Sequence, residues 1–187
     1  MKYYFLLICI ACTGYSCTRD RDLPPLPEKG PSNIAYHLFR VNEMVVRGSV
    51  NMNEFGSYSD WFEIYNTSSR KMTLELGKWY VTDDLTAPTK YELPQTDIPA
   101  QGFLVVWCDR ENTVQTQIHS SFALNSLGEQ IGIFYRNSPE ENPIAIDSIT
   151  YPGDIPKGYS YGMVPDGSDN WFYIMVPTPG HPNQLYK

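Results

Sequence analysis

The chain has 187 residues, with 14 Lys and Arg against 21 Asp and Glu for a formal charge of -7. That length is within the reach of one domain with one core, and the acidic balance, with no basic run, excludes a protein that grips nucleic acid by neutralising phosphates. The same sign disfavours adsorption to anionic lipid through charge alone.

Residues 1–17 read as a secretory leader: Met1-Lys2, an apolar run from Tyr3 to Ala11, then small or polar residues down to Cys17. The run is far shorter than the roughly 20 apolar residues of a membrane-spanning helix. A leader ending in Cys after Gly14-Tyr15-Ser16 resembles the lipobox of bacterial lipoproteins, in which the Cys is acylated, so Cys17 is the expected lipidation site. Cys12 is the competing choice, but it would cut the apolar run short, and the polar residues from Thr18 to Asp22 begin only after Cys17. Because Tyr15 is unusual in a lipobox, an ordinary signal cut without lipid is the alternative. The acidic residues after Cys17, diluted by Arg19 and Arg21, resemble the tag that sends some lipoproteins to the outer face of the outer membrane. The expectation is a cell-envelope protein, lipid-anchored to the outer membrane, with surface exposure as a hypothesis.

Residues 18–33 form a linker in which Pro24, Pro25, Pro27 and Pro31 favour an extended conformation. At about 3.1 Å per residue it holds the domain on the order of 50 Å from the membrane. The domain then occupies residues 34–187.

Within it, plentiful Pro, Gly and aromatic residues favour short strands joined by turns, and no apolar pattern at helical spacing survives without a Pro or Gly. Residues 34–43 open the series. In Trp61–Asn66, Phe62 and Ile64 share one face while Trp61, Glu63 and Tyr65 share the other, as in a half-buried strand. Met72, Leu74 and Leu76 alternate, and 79–82 follow after Gly77. The turn at 99–102 feeds Phe103–Cys108, an apolar run expected to be the central core strand. Residues 130–135 and 144–151 flank a turn rich in Asn, Ser and Pro and predict a hairpin, and 158–163 and 171–176 close the pattern. The fold expected is all-β.

Several segments, in order, resemble the lamin tail domain. The most recognisable is Ser59-Asp60-Trp61-Phe62-Glu63-Ile64-Tyr65-Asn66, preceded by Val41-Asn42-Glu43. After it come residues 79–84, 98–102 and 125–132, and the ending Ser160-Tyr161-Gly162, Pro165-Asp166-Gly167, Trp171 and residues 177–183 is similar to that of bacterial members. The likeness covers residues 34–183; Met163 departs from the basic residue common there. The resemblance implies an immunoglobulin-like β-sandwich and an accessory or interaction role, and it implies little about chemistry. In the motif itself, Phe62 and Ile64 are expected to pack inward, and Glu63 and Asn66 to hydrogen-bond backbone near the strand end.

Other constellations are weaker. Gly158-Tyr159-Ser160-Tyr161-Gly162 matches a hydrolase nucleophile pattern with Asp166 and His181 following, but Pro165 and Gly167 deny the helix that the elbow needs. His37, His119 and His181 stand far apart, and Cys108 is the lone thiol of the body once the leader's three Cys are set aside, so neither a zinc site nor an internal disulfide is expected. Asp60, Glu63, Asp83 and Asp84 form an acidic group for which calcium is the functional reading and strand-end solubility the plain one. No cofactor and no metal ligand is assigned. Trp61, Tyr65 and Tyr80 are the candidate interaction residues, as rings for protein contact or for stacking on sugars. The expectation is a non-enzymatic, lipid-anchored module for protein contact, adhesion or scaffolding; the alternative is glycan recognition, with calcium as an aid. The partner is an unidentified protein or glycan, with the membrane reached through the N-terminal lipid.

Overall fold

The computed structural model describes residues 38–48 and 50–185, and all regular structure among them is β. The strands are β1 (Phe39–Val45), β2 (Asp60–Asn66), β3 (Met72–Leu74), β4 (Trp79–Thr82), β5 (Tyr91–Glu92), β6 (Thr96–Ile98) and β7 (Phe103–Cys108). They continue as β8 (Thr113–Val114), β9 (Ile118–His119), β10 (Gly128–Tyr135), β11 (Ile144–Pro152), β12 (Ser160–Met163) and β13 (Trp171–Ile174). A seven-stranded sheet, β13-β12-β1-β2-β7-β9-β8, packs on a four-stranded one, β11-β10-β4-β5, and β3 pairs with β6 as a small separate ribbon. The expected all-β sandwich is what the chain forms.

The core lies between the two larger sheets. Phe39, Val41, Met44, Phe62, Ile64 and Val106 from one meet Trp79, Val81, Ile131, Ile133 and Ile146 from the other. Phe39 meets Trp79 edge to face, ring centroids 5.0 Å apart, the arrangement the ring quadrupoles prefer. Burying several such side chains, each contributing about 1.5–3 kcal/mol, is what holds the two layers together.

A bulge sets which residues of β1 face out. Val41 pairs with Ile64, but the next partner of Glu63 is Glu43, leaving Asn42 as the extra residue. One inserted residue shifts a period-2 alternation by one. Phe39 and Val41 therefore point into the core before the bulge and Met44 and Val46 after it, which turns Glu43 and Val45 to the outer face.

The strands differ from expectation in four ways. The first begins at Phe39; residues 34–37, including His37, lie outside the described residues. The four short strands β5, β6, β8 and β9, of two or three residues each, carry too little pattern to be read. The longest strand buried at every position is β1, with seven residues, whereas Phe103, Leu104 and Val105 of β7 are only half-buried. The hairpin of β10 and β11 forms as expected, and Leu76 is 65% exposed because β3 stops at Leu74.

Candidate interaction groove

The outer face of the large sheet carries Trp61, Glu63 and Tyr65 on β2, directly across from Trp107, Val105 and Phe103 on β7. Trp61, Trp107 and Val45 pack as a second apolar cluster, and the Tyr65 and Phe103 rings meet tilted at 33°, with 5.1 Å between centroids. Two segments held by polar latches cover this face on either side and leave a groove between them.

The first latch is the C-terminal strap, residues 177–183. Thr178 donates its N–H to Glu43, at 3.1 Å from Oε1, and Gly180 donates to Glu63 Oε2 at 2.6 Å. Asn183 donates its N–H to Asp166 Oδ1 at 3.0 Å, and its side-chain amide donates to the carbonyl of Met163 at 2.9 Å. Asn42, the bulge residue, donates to both Glu63 and Asp166 and accepts from Gly167 N–H. Glu43 and Glu63 are fully buried. Burial raises Glu43 to about 7, against the pull of the Ser160 and Thr178 donors. Burial likewise pushes Glu63 well above the ordinary carboxylate range, and the neighbouring charges of Glu43 and Asp166 add to that.

The second latch fixes the loop between β1 and β2. Glu54 accepts from Thr116 N–H and Gln117 N–H at 3.1 Å each and from the Thr116 hydroxyl, while Gln117 Oε1 accepts from Glu54 N–H at 2.8 Å. Beneath it His119 is fully buried, with Nδ1 2.7 Å from Asp109 Oδ2 and Nε2 3.4 Å from Glu54 Oε1. Phe55 lies over the imidazole, ring centres 4.6 Å apart, and Asn53 donates to Asp109.

Between the latches lies a groove of about 650 Å³. Phe103, Val105 and Trp107 form its floor, Pro179 of the strap and Met52 of the loop stand on it, and Val114 to Gln117 and Pro94 to Thr96 complete its sides. No charged side chain lines it, although the chain carries 35 charged residues, 14 basic and 21 acidic.

The structure corrects several sequence expectations about sites. Trp61 is fully buried and Tyr80 is 4% exposed, so neither presents a ring face. Strand β2 is covered on both faces rather than one, because β7 supplies Trp107 against Trp61; Tyr80 is held by its hydroxyl donating to the carbonyl of Gly77 and by Arg136 over its ring. Tyr65 is half-buried against Phe103. Asp60, Glu63, Asp83 and Asp84 do not converge. Glu63 belongs to the strap, Asp60 accepts from Gly48 N–H, Asp83 pairs with Lys90 at 2.5 Å and Asp84 holds the Thr86 turn. Asp60 and Asp83 do line a separate polar cleft with Glu129, Arg47 and Arg110. Among the described residues no group of three or more His, Cys, Asp or Glu is placed to hold a metal ion.

Ser160 sits on a strand with its hydroxyl on Glu43, and His181 is exposed with Nδ1 3.0 Å from the Pro179 carbonyl, so the serine, Asp166 and His181 form no relay. Glu63 and Asn66 do bind backbone as expected: Asn66 donates to the carbonyls of Arg70 and Pro99 at 2.8 Å each. Cys108 is a buried strand thiol, and burial raises its pKa far above the ordinary value. Cys17 and its rival Cys12 lie outside the described residues. Sequence reasoning missed the Glu54, Asp109 and His119 clamp, whose members are too far apart in the chain to read as a set. No protein-family model matches this chain, and no curated protein matches it.

Proposed function

We propose that the chain is a non-enzymatic lipoprotein of the cell envelope, anchored to the outer membrane through Cys17, whose lamin-tail-type, immunoglobulin-like domain is displayed for contact with another protein. The observation that carries the protein-contact reading is the uncharged groove over Phe103, Val105 and Trp107. An apolar floor with an amide and hydroxyl rim and no charged side chain has the make-up of a contact patch, where charged residues are depleted at the centre. The leader, the Cys after small residues and the Pro-rich linker support the anchoring part. The family assignment is supported by the ordered motifs, since their Glu63 and Asn66 serve the fold by binding strap and loop backbone. The glycan alternative is weakened because two of the three rings it relied on, Trp61 and Tyr80, are buried.

The test has two arms in intact cells. Cys17→Ala is expected to release the protein from the membrane fraction, and a variant that stays membrane-bound removes the lipid anchor from the reading. A photo-reactive side chain placed at Met52, 56% exposed beside the groove, is expected to give a saturable cross-link to an envelope protein. No cross-linked protein at any position around the groove, or turnover of an ester, phosphoester or peptide substrate by the purified chain, overturns it.

A further inference from the structure

We propose that the groove is a strand-addition site, in which an extended, uncharged segment of a protein partner pairs with the free edge of β7 at Phe103–Val105. This rests on the protein-contact reading and specifies how the contact is made.

Strand β7 is paired along its whole length with β2, from Phe103 opposite Tyr65 to Cys108 opposite Asp60. On its other side β9 is in register only with Val106 and Trp107. Two hydrogen bonds decide which backbone groups of the uncovered part face the groove. The carbonyl of Gly102 accepts from Asn66 N–H, on the β2 side. In an antiparallel ladder each residue turns both polar groups the same way and alternate residues agree, so Leu104 and Val106 also face β2. The carbonyl of Trp107 accepts from Ser120 N–H on the opposite side, so Val105 and Phe103 turn their N–H and C=O groups away from β2. Both constraints give the same parity. On that side the parallel pairing of Val106 with Ile118 brings the Ile118 N–H to the carbonyl of Val105, which leaves the N–H of Val105 and both polar groups of Phe103 without a strand partner among the described residues; both residues line the groove.

An open edge is normally guarded by a charge, a proline or a cap. This fold shows a cap elsewhere: β12 pairs with β1 only at Glu43 and Met44, and Val41 N–H is taken instead by Asp147 Oδ2 at 2.9 Å. Strand β7 has neither Lys nor Pro, and among the described residues no side chain caps Phe103 or Val105.

Backbone donors and acceptors in a row select a strand, and the groove selects its side chains. An ionised group entering would lose hydration with no counter-charge to meet it, so the segment is uncharged. Side chains at alternate positions fall on the outer face, over Phe103 and Val105 and between Met52 and Val114, which favours apolar residues there. From Phe103 to Val105, at about 3.3 Å per residue, there is room for roughly three residues of the added strand before β9 begins.

The test follows backbone amides of the full-length, nitrogen-15-labelled chain on titration with a capped hexapeptide of alternating Thr and Val. The same peptide, N-methylated at the residues that would donate to β7, is the control. The expected result is saturable shifts at Phe103 and Val105 with slowed hydrogen exchange at both, and neither change with the methylated peptide. Val114→Glu, at a side chain 49% exposed, is expected to weaken binding about tenfold with unchanged melting. Gln115→Glu on the same rim serves if that variant fails to fold. Shifts confined to other residues, equal binding of the methylated peptide, or no response at Phe103 and Val105 overturns strand addition. A cross-link at Met52 would then still leave the protein-contact reading in place, so the two fail separately.

Discussion

The backbone N–H of Gly180 donates to Glu63 Oε2 across 2.6 Å, tying the last part of the chain to a strand 117 residues earlier. Asn42 donates to the other oxygen of the same carboxyl at 3.1 Å. Removing the acceptor leaves two donors without their partner in a buried site. Glu63→Ala is therefore expected to cost about 2–3 kcal/mol in urea unfolding, with faster proteolysis of the strap. Glu63→Gln, which keeps one acceptor, should lose less. An alanine variant as stable as the parent would show that the strap is held by Glu43 and Asp166 alone.

The strap also gives stability a pH dependence of defined sign. Glu43 has an ordinary value of 4.5 when unfolded and about 7 when folded. Between those values the native state binds more protons than the unfolded state, so stability falls as pH rises. The contribution is fully present below about 4.5 and is lost as pH rises through about 7. The difference amounts to about 3 kcal/mol, and Glu63, also raised, adds to it in the same direction. Urea unfolding at pH 5 and pH 8 on the order of 3 kcal/mol apart, with the gap narrowed in Glu43→Gln, is the expected outcome. Equal stability at the two pH values would count against it.

Trp61 is expected to behave as a core residue and not as a contact residue. It is fully buried against Trp107 and Val45, and Trp61→Ala should cost about 3–5 kcal/mol. Any loss of binding in that variant should track loss of folded protein in a thermal melt. A stable variant with normal melting and no binding would reverse the assignment.

Alternation in the sequence revealed most long strands, the β10 and β11 hairpin and the inward side chains Phe62 and Ile64, because period 2 is a local property. It did not reveal that Trp61 is covered. Whether the second face of a strand meets solvent depends on what lies across it, and Trp107 arrives from 46 positions away, a distance in sequence that pattern does not report. The bulge at Asn42 was hidden for the same reason: it is defined by the partner Glu63, not by the residues of β1. Of the candidate site, the motif gave Glu63 and Asn66 their backbone-binding roles. The free edge of β7 was invisible, since an apolar run reads alike whether its neighbour spans it or stops at Val106.

The other wall of the groove should respond to acid in the opposite sense from the strap. Glu54 lies below the ordinary carboxylate value, chiefly through the Thr116 hydroxyl and also through backbone donors and His119. A lowered value means that its clamp is present above the ordinary range and is lost as pH falls through the folded value. Acid therefore loosens the loop between β1 and β2 while it favours the strap. Glu54→Ala is expected to reproduce the loosening at neutral pH: faster exchange at Thr116 and Gln117 amides, after correction for intrinsic rates, and weaker peptide binding, with the global unfolding midpoint nearly unchanged. If exchange at those amides is unaffected, His119 and Asn53 hold the loop without Glu54. If the midpoint falls sharply, the clamp is part of the cooperative core, and the groove cannot open on one side without the domain unfolding.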